Sequence, residues 1–458
     1  MALELAHREA FERRRALLAA RLQNRPALIA AGAARPRNYA ANVYPYRASS
    51  HFLYLVGLPL RGGVLLFDGG SFTLYLPEPG ADDALWEGAQ PTFDEIAAAT
   101  GCTVRALSRL PANVRGRAVA TVPAPDLDTC AEQSRLLQRE IRRGVFDVLD
   151  APLADALIDL RLRHDDAAVA ELRAAAEVTG LAHRAGMRAT RPGVREAAVR
   201  AAMEAEIIAH DLTVAYPSIV TVHGEILHNE KHHNVLAAGE LLLADVGAES
   251  RGGFAGDVTR TWPVSGQFSS AQRELYNVVL EAQRQAIAAV TPGARYRNIH
   301  VLASQALASG LIDLGVLRGN PIELVADGVV ALLFPHGVGH LLGLDVHDME
   351  DLGDRAGYAT GRTRSQDAGL RFLRLDRDLV AGMAVTIEPG LYFVPAILED
   401  PIAMKKAAGR LDLERLARFR QARGIRIEDD VLVTETGAEV LTAAIPKSAD
   451  AVEATLAG

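Results

Sequence analysis

One phrase occurs twice in this chain. "GELLLADVG" begins at Gly239 and "GMAVTIEPG" at Gly382, and each places a carboxylate six residues beyond its first glycine, Asp245 in one and Glu388 in the other. A similar prelude comes before each: a long helical pattern, a Pro-Gly stop (Pro192-Gly193 and Pro292-Gly293) and a second helical pattern. An internal repeat of this kind constrains the fold more than composition does. Two similar halves must each present an acid at an equivalent strand end.

Each acid has a companion. Asp245 is followed by the Gly-rich "VGAESRGGFAGDVTRT", so a strand, a hairpin loop and a returning strand bring Asp257 to the same side of a β-pair. In the second half, "GIRIEDDVLVTETG" supplies Glu428 on a run with β alternation. A single acid in a strand is usually a solvated face residue, but four in otherwise apolar strands need partners or metal. Four carboxylates with one imidazole form an oxygen-rich set. It suits two hard divalent ions, Mn²⁺ first and Co²⁺ or Zn²⁺ as alternatives, rather than a thiolate zinc site. Paired metals activate water, so the implied chemistry is hydrolysis.

The imidazole is not fixed by spacing. "HGVGHLLGLDVHDME" carries His336, His340 and His347. Histidines at i and i+4 evoke a zinc-protease helix, but that motif needs Glu after the first His, and Gly337 stands there. Pro335, Gly337 and Gly339 also disfavour a regular helix. His232 and His233 read as surface residues, and His223 and His300 lie in no motif.

The rest of the chain frames this centre. At 458 residues two domains are expected. "SHFLYLVGL", "GGVLLFDG" and "SFTLYLPE" read as short β-type runs of a smaller mixed α/β first domain. From near Asp150 the pattern turns helical, and we set the domains at residues 1–160 and 161–458. "MALELAHREAFERRRALLAARL" reads as an amphipathic helix without the apolar core of a signal peptide. No apolar run is long enough to span a membrane. A net charge of −8 argues against nucleic acid. Cys102 and Cys130 are the only cysteines, too few for a secretory disulfide framework, so a cytoplasmic setting is expected.

Six phrases, "ILHNE", "LLLADVGAE", "GDVTRT", "HGVGHLLGLDVHD", "TIEPGLYF" and "GIRIEDDVLVTETG", together resemble the metallopeptidases of the pita-bread fold, the group of methionine aminopeptidase, aminopeptidase P and prolidase. "YPYRASSHFLYLVGL" is similar to the N-terminal domain of aminopeptidase P and prolidase. The resemblance implies an α/β (α+β) chain whose C-terminal domain has pseudo-twofold pita-bread symmetry, and an enzyme that hydrolyses the Xaa-Pro bond at a peptide's N-terminus. It makes Asp245, Asp257, His340, Glu388 and Glu428 the metal ligands, with Glu388 also taking the proton of the attacking water. His228, His336 and His347 become substrate-side histidines, and Arg426 supports the ligands. "GLRFLRLDRDL" is prolidase-like, and its Arg374 falls where prolidases hold a dipeptide's carboxylate, whereas "YPYR" leans to aminopeptidase P. Substrate length stays open between the two. A homodimer is implied as well. The competing readings are a metal-free pita-bread binding module and a creatinase-type amidinohydrolase, and both predict degraded ligand positions.

Overall fold

The runs "VLLFD" and "SFTLYL" form adjacent antiparallel strands, Val64–Asp68 and Ser71–Leu76, with Val64 opposite Tyr75. They belong to a computed structural model that describes residues 6–80 and 82–458 and divides into two units, Met1–Ala167 with Met349–Ala356, and Ala168–Asp348 with Gly357–Gly458. In the first unit a five-stranded sheet has the order Thr103–Ala106, Ser71–Leu76, Val64–Asp68, Ala27–Ala30, Ala120–Thr121, with both outermost pairings parallel.

Two expectations for this unit need correction. "SHFLYLV" is not a strand but the helix Ser50–Val56, in which all seven residues are buried. A run buried on every side has no periodicity to separate helix from strand, and the ends decide. Ser49 caps it through its side chain, accepting from Phe52 N, and Gly57 closes it in the left-handed region. The N-terminal helix, Arg8–Leu22, exists, but its buried face includes Arg14 and Arg15 beside Ala10, Leu18 and Leu22. Arg15 donates to Leu55 O (2.7 Å) and Thr100 O (2.6 Å), and Arg14 pairs with Asp165 at 2.7 Å. Residues 1–5 of the predicted helix lie outside the described residues.

Met349–Ala356 packs with this first unit. Arg161 donates to His51 Nδ1 (2.9 Å), which leaves His51 Nε2–H to donate to Asp351 (3.0 Å). Arg355 pairs with Asp155 at 2.7 Å. Cys102 and Cys130 are both buried free thiols.

The second unit realises the repeat. The helices Asp166–Ala189 and Glu196–Ala209 precede one sheet, and Ser270–Ala288 and Tyr296–Asp313 precede the other. In the first sheet Leu241–Asp245 lies between Ile219–Thr221 and Thr259–Pro263, with Thr259 opposite Asp245. In the second Asp429–Val433 lies between Ala384–Ile387 and Ala438–Val440, with Ile387 opposite Asp429. The two sheets are joined by a buried seam. Arg260, fully buried, donates to Asp429 at 2.7 Å and also to Glu428 O, and Asp429 further accepts from Gln283, Thr442 and Lys447.

Two buried histidines of this unit make a pH prediction. His183 Nε2 lies 3.0 Å from Val246 O, and Nδ1 of both His183 and His300 meets no partner among the described residues. Burial holds them neutral, pushing His183 down to about 3 and His300 to about 4. The unfolded chain therefore takes up protons first, and stability present above the ordinary histidine range, about 6.5, is lost as pH falls towards the folded values. Stability should fall between pH 6.5 and 5 with a slope of about 1.4 kcal/mol per pH unit for each histidine. Denaturant titrations at several pH values check this. His183→Gln should flatten the slope, and an unchanged slope would assign it to other groups.

Candidate active site

Asp245 closes the strand Leu241–Asp245, and Asp257 lies two residues before the returning strand. Glu388 follows Ala384–Ile387 directly, and Glu428 directly precedes Asp429–Val433. Strand ends thus bring the four acids into one cleft of about 260 Å³. Its lining includes all ten residues singled out from sequence: His228, Asp245, Asp257, His336, His340, His347, Arg374, Glu388, Arg426 and Glu428.

His340 owes its place to backbone packing. The segment around it runs beside the second sheet, with Thr386 N donating to His340 O (3.0 Å) and Glu388 N to Val338 O (2.8 Å). Gly339 makes this approach feasible, because a Cβ there would stand 2.2 Å from Thr386 O and 2.4 Å from the Tyr296 hydroxyl. His340 Nδ1 faces Leu341 O at 3.0 Å, so Nδ1 donates to that carbonyl and Nε2 is the nitrogen turned towards the acids. Nε2 lies 3.3 Å from Asp257 and 3.8 Å from Glu388. The His347 ring lies beside it, tilted by 50° with centroids 4.1 Å apart.

His336 has a different setting. Its Nδ1 lies 2.7 Å from Gly337 O and its Nε2 2.8 Å from the Tyr392 hydroxyl. Burial, with the nearby Arg426 charge, pushes it down to about 3. A neutral ring then donates to the carbonyl and accepts from Tyr392, whose oxygen in turn accepts from Arg426 Nη1 (3.1 Å). Arg426 also donates to Asp245 (2.6 Å) and to the Thr259 hydroxyl (2.8 Å), which donates to Glu428 (2.7 Å).

The acids are held together against their own repulsion. Burial pushes Glu388 up to about 7, with His340 and Arg426 pulling the other way. Burial and the neighbouring carboxylates raise Glu428 well above the usual range, and burial raises Asp245 despite Arg426. Burial works on Asp257 too, but the hydrogen bond and charge of His340, with the Tyr216 hydroxyl and His347, together outweigh it and hold this acid low. The same pairing lifts His340 against its burial. Arg426 is hydrogen-bonded directly to Asp245 alone of the four acids and reaches Glu428 only through Thr259, so the donor set is short of positive charge. Oxygens of Asp257 and Glu428 and a nitrogen of His340 lie within 4.8 Å of one another, close enough to ligate one ion. Hard oxygens, one imidazole nitrogen and uncompensated buried charge fit divalent metal.

Sequence reasoning missed three neighbours. The Tyr216 hydroxyl lies 2.6 Å from Asp245 and 2.7 Å from Asp257, where burial and those two charges push it well above the usual tyrosine range. Tyr392 lies within the quoted "TIEPGLYF", four residues beyond Glu388, and could have been found from that spacing. Asp430, one residue beyond Asp429, accepts from Asp257 N at 3.0 Å. The histidines left aside stay out of the cleft lining. His232 is not a plain surface residue, since its Nε2 lies 2.9 Å from Ser218 O.

Comparison with known proteins agrees with this picture. The model of metallopeptidase family M24 matches residues 170–435, and that of the aminopeptidase P N-terminal domain matches residues 11–120. A "Probable Xaa-Pro aminopeptidase" of Neosartorya fischeri is 32% identical over 428 residues, covering 89% of this chain and 88% of its own. A solved Pseudomonas aeruginosa aminopeptidase, PepP, is 29% identical, with a TM-score of 0.82 and 99% of each chain covered. Zinc-substituted Escherichia coli aminopeptidase P in complex with product is 30% identical, with a TM-score of 0.79 and the same coverage. The second unit therefore has the pita-bread fold, and the chain belongs to metallopeptidase family M24 with an aminopeptidase P N-terminal domain.

Proposed function

We propose that this protein is an Xaa-Pro exopeptidase that uses two divalent metal ions to remove the N-terminal residue from short peptides with proline in second place. The observation that carries the reading is the single cleft in which four strand-end acids surround the His340 imidazole. Relatives named as Xaa-Pro aminopeptidases support the choice of substrate. Asp245, Asp257, His340, Glu388 and Glu428 would hold the ions, with Mn²⁺ preferred over Co²⁺ or Zn²⁺. When bound, the ions supply Lewis acidity to the attacking water and the scissile carbonyl.

The remaining work belongs to side chains. Glu388 takes one proton from the water as its oxygen bonds to the carbonyl carbon. That proton goes to the proline nitrogen as the C–N bond breaks, which spares the leaving group from departing as an amide anion. His347 hydrogen-bonds the tetrahedral adduct. His228 and neutral His336 flank the proline, and Arg426 fixes Asp245 and, through Thr259, Glu428. Arg374 at the cleft gives a dipeptide's carboxylate a guanidinium, which favours substrates ending at proline.

A metal-free binding module or an amidinohydrolase of the creatinase type is disfavoured because all five ligand positions are filled. We place the protein in the cytoplasm as a homodimer acting on peptides, with no nucleic-acid or membrane partner and a domain boundary near residue 160. Among the described residues, no helix is long and apolar enough to cross a membrane. Hydrolysis of Ala-Pro peptides should vanish on chelation and return with Mn²⁺, and full activity in chelator would overturn the proposal. Arg374→Ala should lower kcat/KM for Ala-Pro more than for Ala-Pro-Gly.

A further inference from the structure

Phe372 stands in an unusual position for a large apolar side chain. It is 51% exposed yet lines the same cleft as the acids, two residues before Arg374. Leu373 between them turns the other way and is buried, at 2% exposure. Its carbonyl accepts from the Tyr358 hydroxyl (2.7 Å) and from Arg364 Nη1 (2.6 Å). A Cβ on Gly337 would stand 3.0 Å from Leu373 Cα, so this segment lies directly on the turn that carries His336. Phe372 and Arg374 are thus presented to the cleft from a fixed backbone. The Arg371 guanidinium lies over the Phe372 ring at 4.6 Å from its centroid, which holds the ring and leaves its other face for a ligand.

Exposure orders the cleft from inside to outside: Asp257 and Glu428 are buried, Arg374 is half-buried and Phe372 is exposed. On the Xaa-Pro reading, a peptide with its scissile bond at the acids and its proline between His228 and His336 would turn the proline carboxyl towards Arg374, which lines the same cleft. Any further residue continues towards Phe372. We infer that Phe372 is a specificity-determining residue that packs against an apolar side chain in the third position of the substrate. This inference rests on the Xaa-Pro reading and extends it. Arg374 serves peptides that end at proline, and Phe372 serves those that continue with an apolar residue.

The test compares Ala-Pro-Phe with Ala-Pro-Gly on the Mn²⁺-loaded protein, with Ala-Pro as the reference substrate. Covering about half of an aromatic side chain should give the phenylalanine peptide an advantage of about tenfold in kcat/KM, carried by KM. Phe372→Ala should bring that ratio close to one, and Phe372→Leu should keep most of it. A ratio near one in the unaltered protein, or a ratio that Phe372→Ala leaves in place, overturns the inference while the Xaa-Pro reading stands. Failure to cleave any of the three peptides overturns both.

Discussion

Glu388→Gln should lower kcat on Xaa-Pro peptides by about a thousandfold, equal to about 4 kcal/mol of barrier. Glutamine keeps the size of the side chain but cannot accept a proton, and it removes one negative charge from the ion-holding set. The geometry makes the carboxylate hard to replace from nearby. Its amide is tied to Val338 O, its oxygens lie 3.8 Å from both His336 Nδ1 and His340 Nε2, and Asp245 is already occupied by Arg426 and Tyr216. Activity measured across a range of Mn²⁺ concentrations separates weakened metal binding from lost proton transfer. A variant that keeps more than a tenth of its kcat at saturating metal would remove Glu388 from the role of base.

Asp429→Ala is expected to be the most damaging substitution for stability, at about 3–5 kcal/mol. The change removes the acceptor of four donors, from Arg260, Gln283, Thr442 and Lys447, and leaves the fully buried Arg260 guanidinium with carbonyl oxygens alone. Arg260 and Lys447 together hold Asp429 below the usual carboxylate range in the face of its burial. Lys447 is partly exposed and can find water, but Arg260 cannot. Denaturant unfolding checks the figure, and a loss under about 1 kcal/mol would mean that the seam adapts around the gap.

The centre of the second unit was legible because its constraints are local and doubled. A strand end carrying an acid is written into a nine-residue phrase, and the phrase occurs twice. Histidine assignment needed more, since the three imidazoles of one stretch differ only in what other segments bring to them: Thr386 and the acids for His340, Tyr392 for His336. Tyr216 left no periodic signal, because its importance comes from two acids 29 and 41 residues away. Phe372 stood within the quoted "GLRFLRLDRDL" without a signal of its own, and the packing of Leu373 on Gly337 turns it to the cleft. In the first unit, complete burial erased the difference between a strand and the helix Ser50–Val56. The buried Arg14 and Arg15 broke the amphipathic pattern because their partners are carbonyls and an acid distant in sequence. The grouping of Met349–Ala356 with the first unit was likewise invisible, since it depends on Asp351 meeting His51, 300 residues away.

The seam between the two sheets also decides how the proposed metal centre would be lost. Thr259 of one half donates to Glu428 of the other and accepts its amide, while Asp257 N donates to Asp430. Neither half owns all five of the proposed ligands, as one would supply two aspartates and the other the histidine and two glutamates. A partly melted chain that keeps one sheet therefore keeps only a fragment of the affinity. Ions that bind the native state alone stabilise it by mass action, so added Mn²⁺ should move the melting of both halves together. Metal occupancy would then serve as a reporter of long-range order, falling in one step as the halves part rather than draining away ligand by ligand.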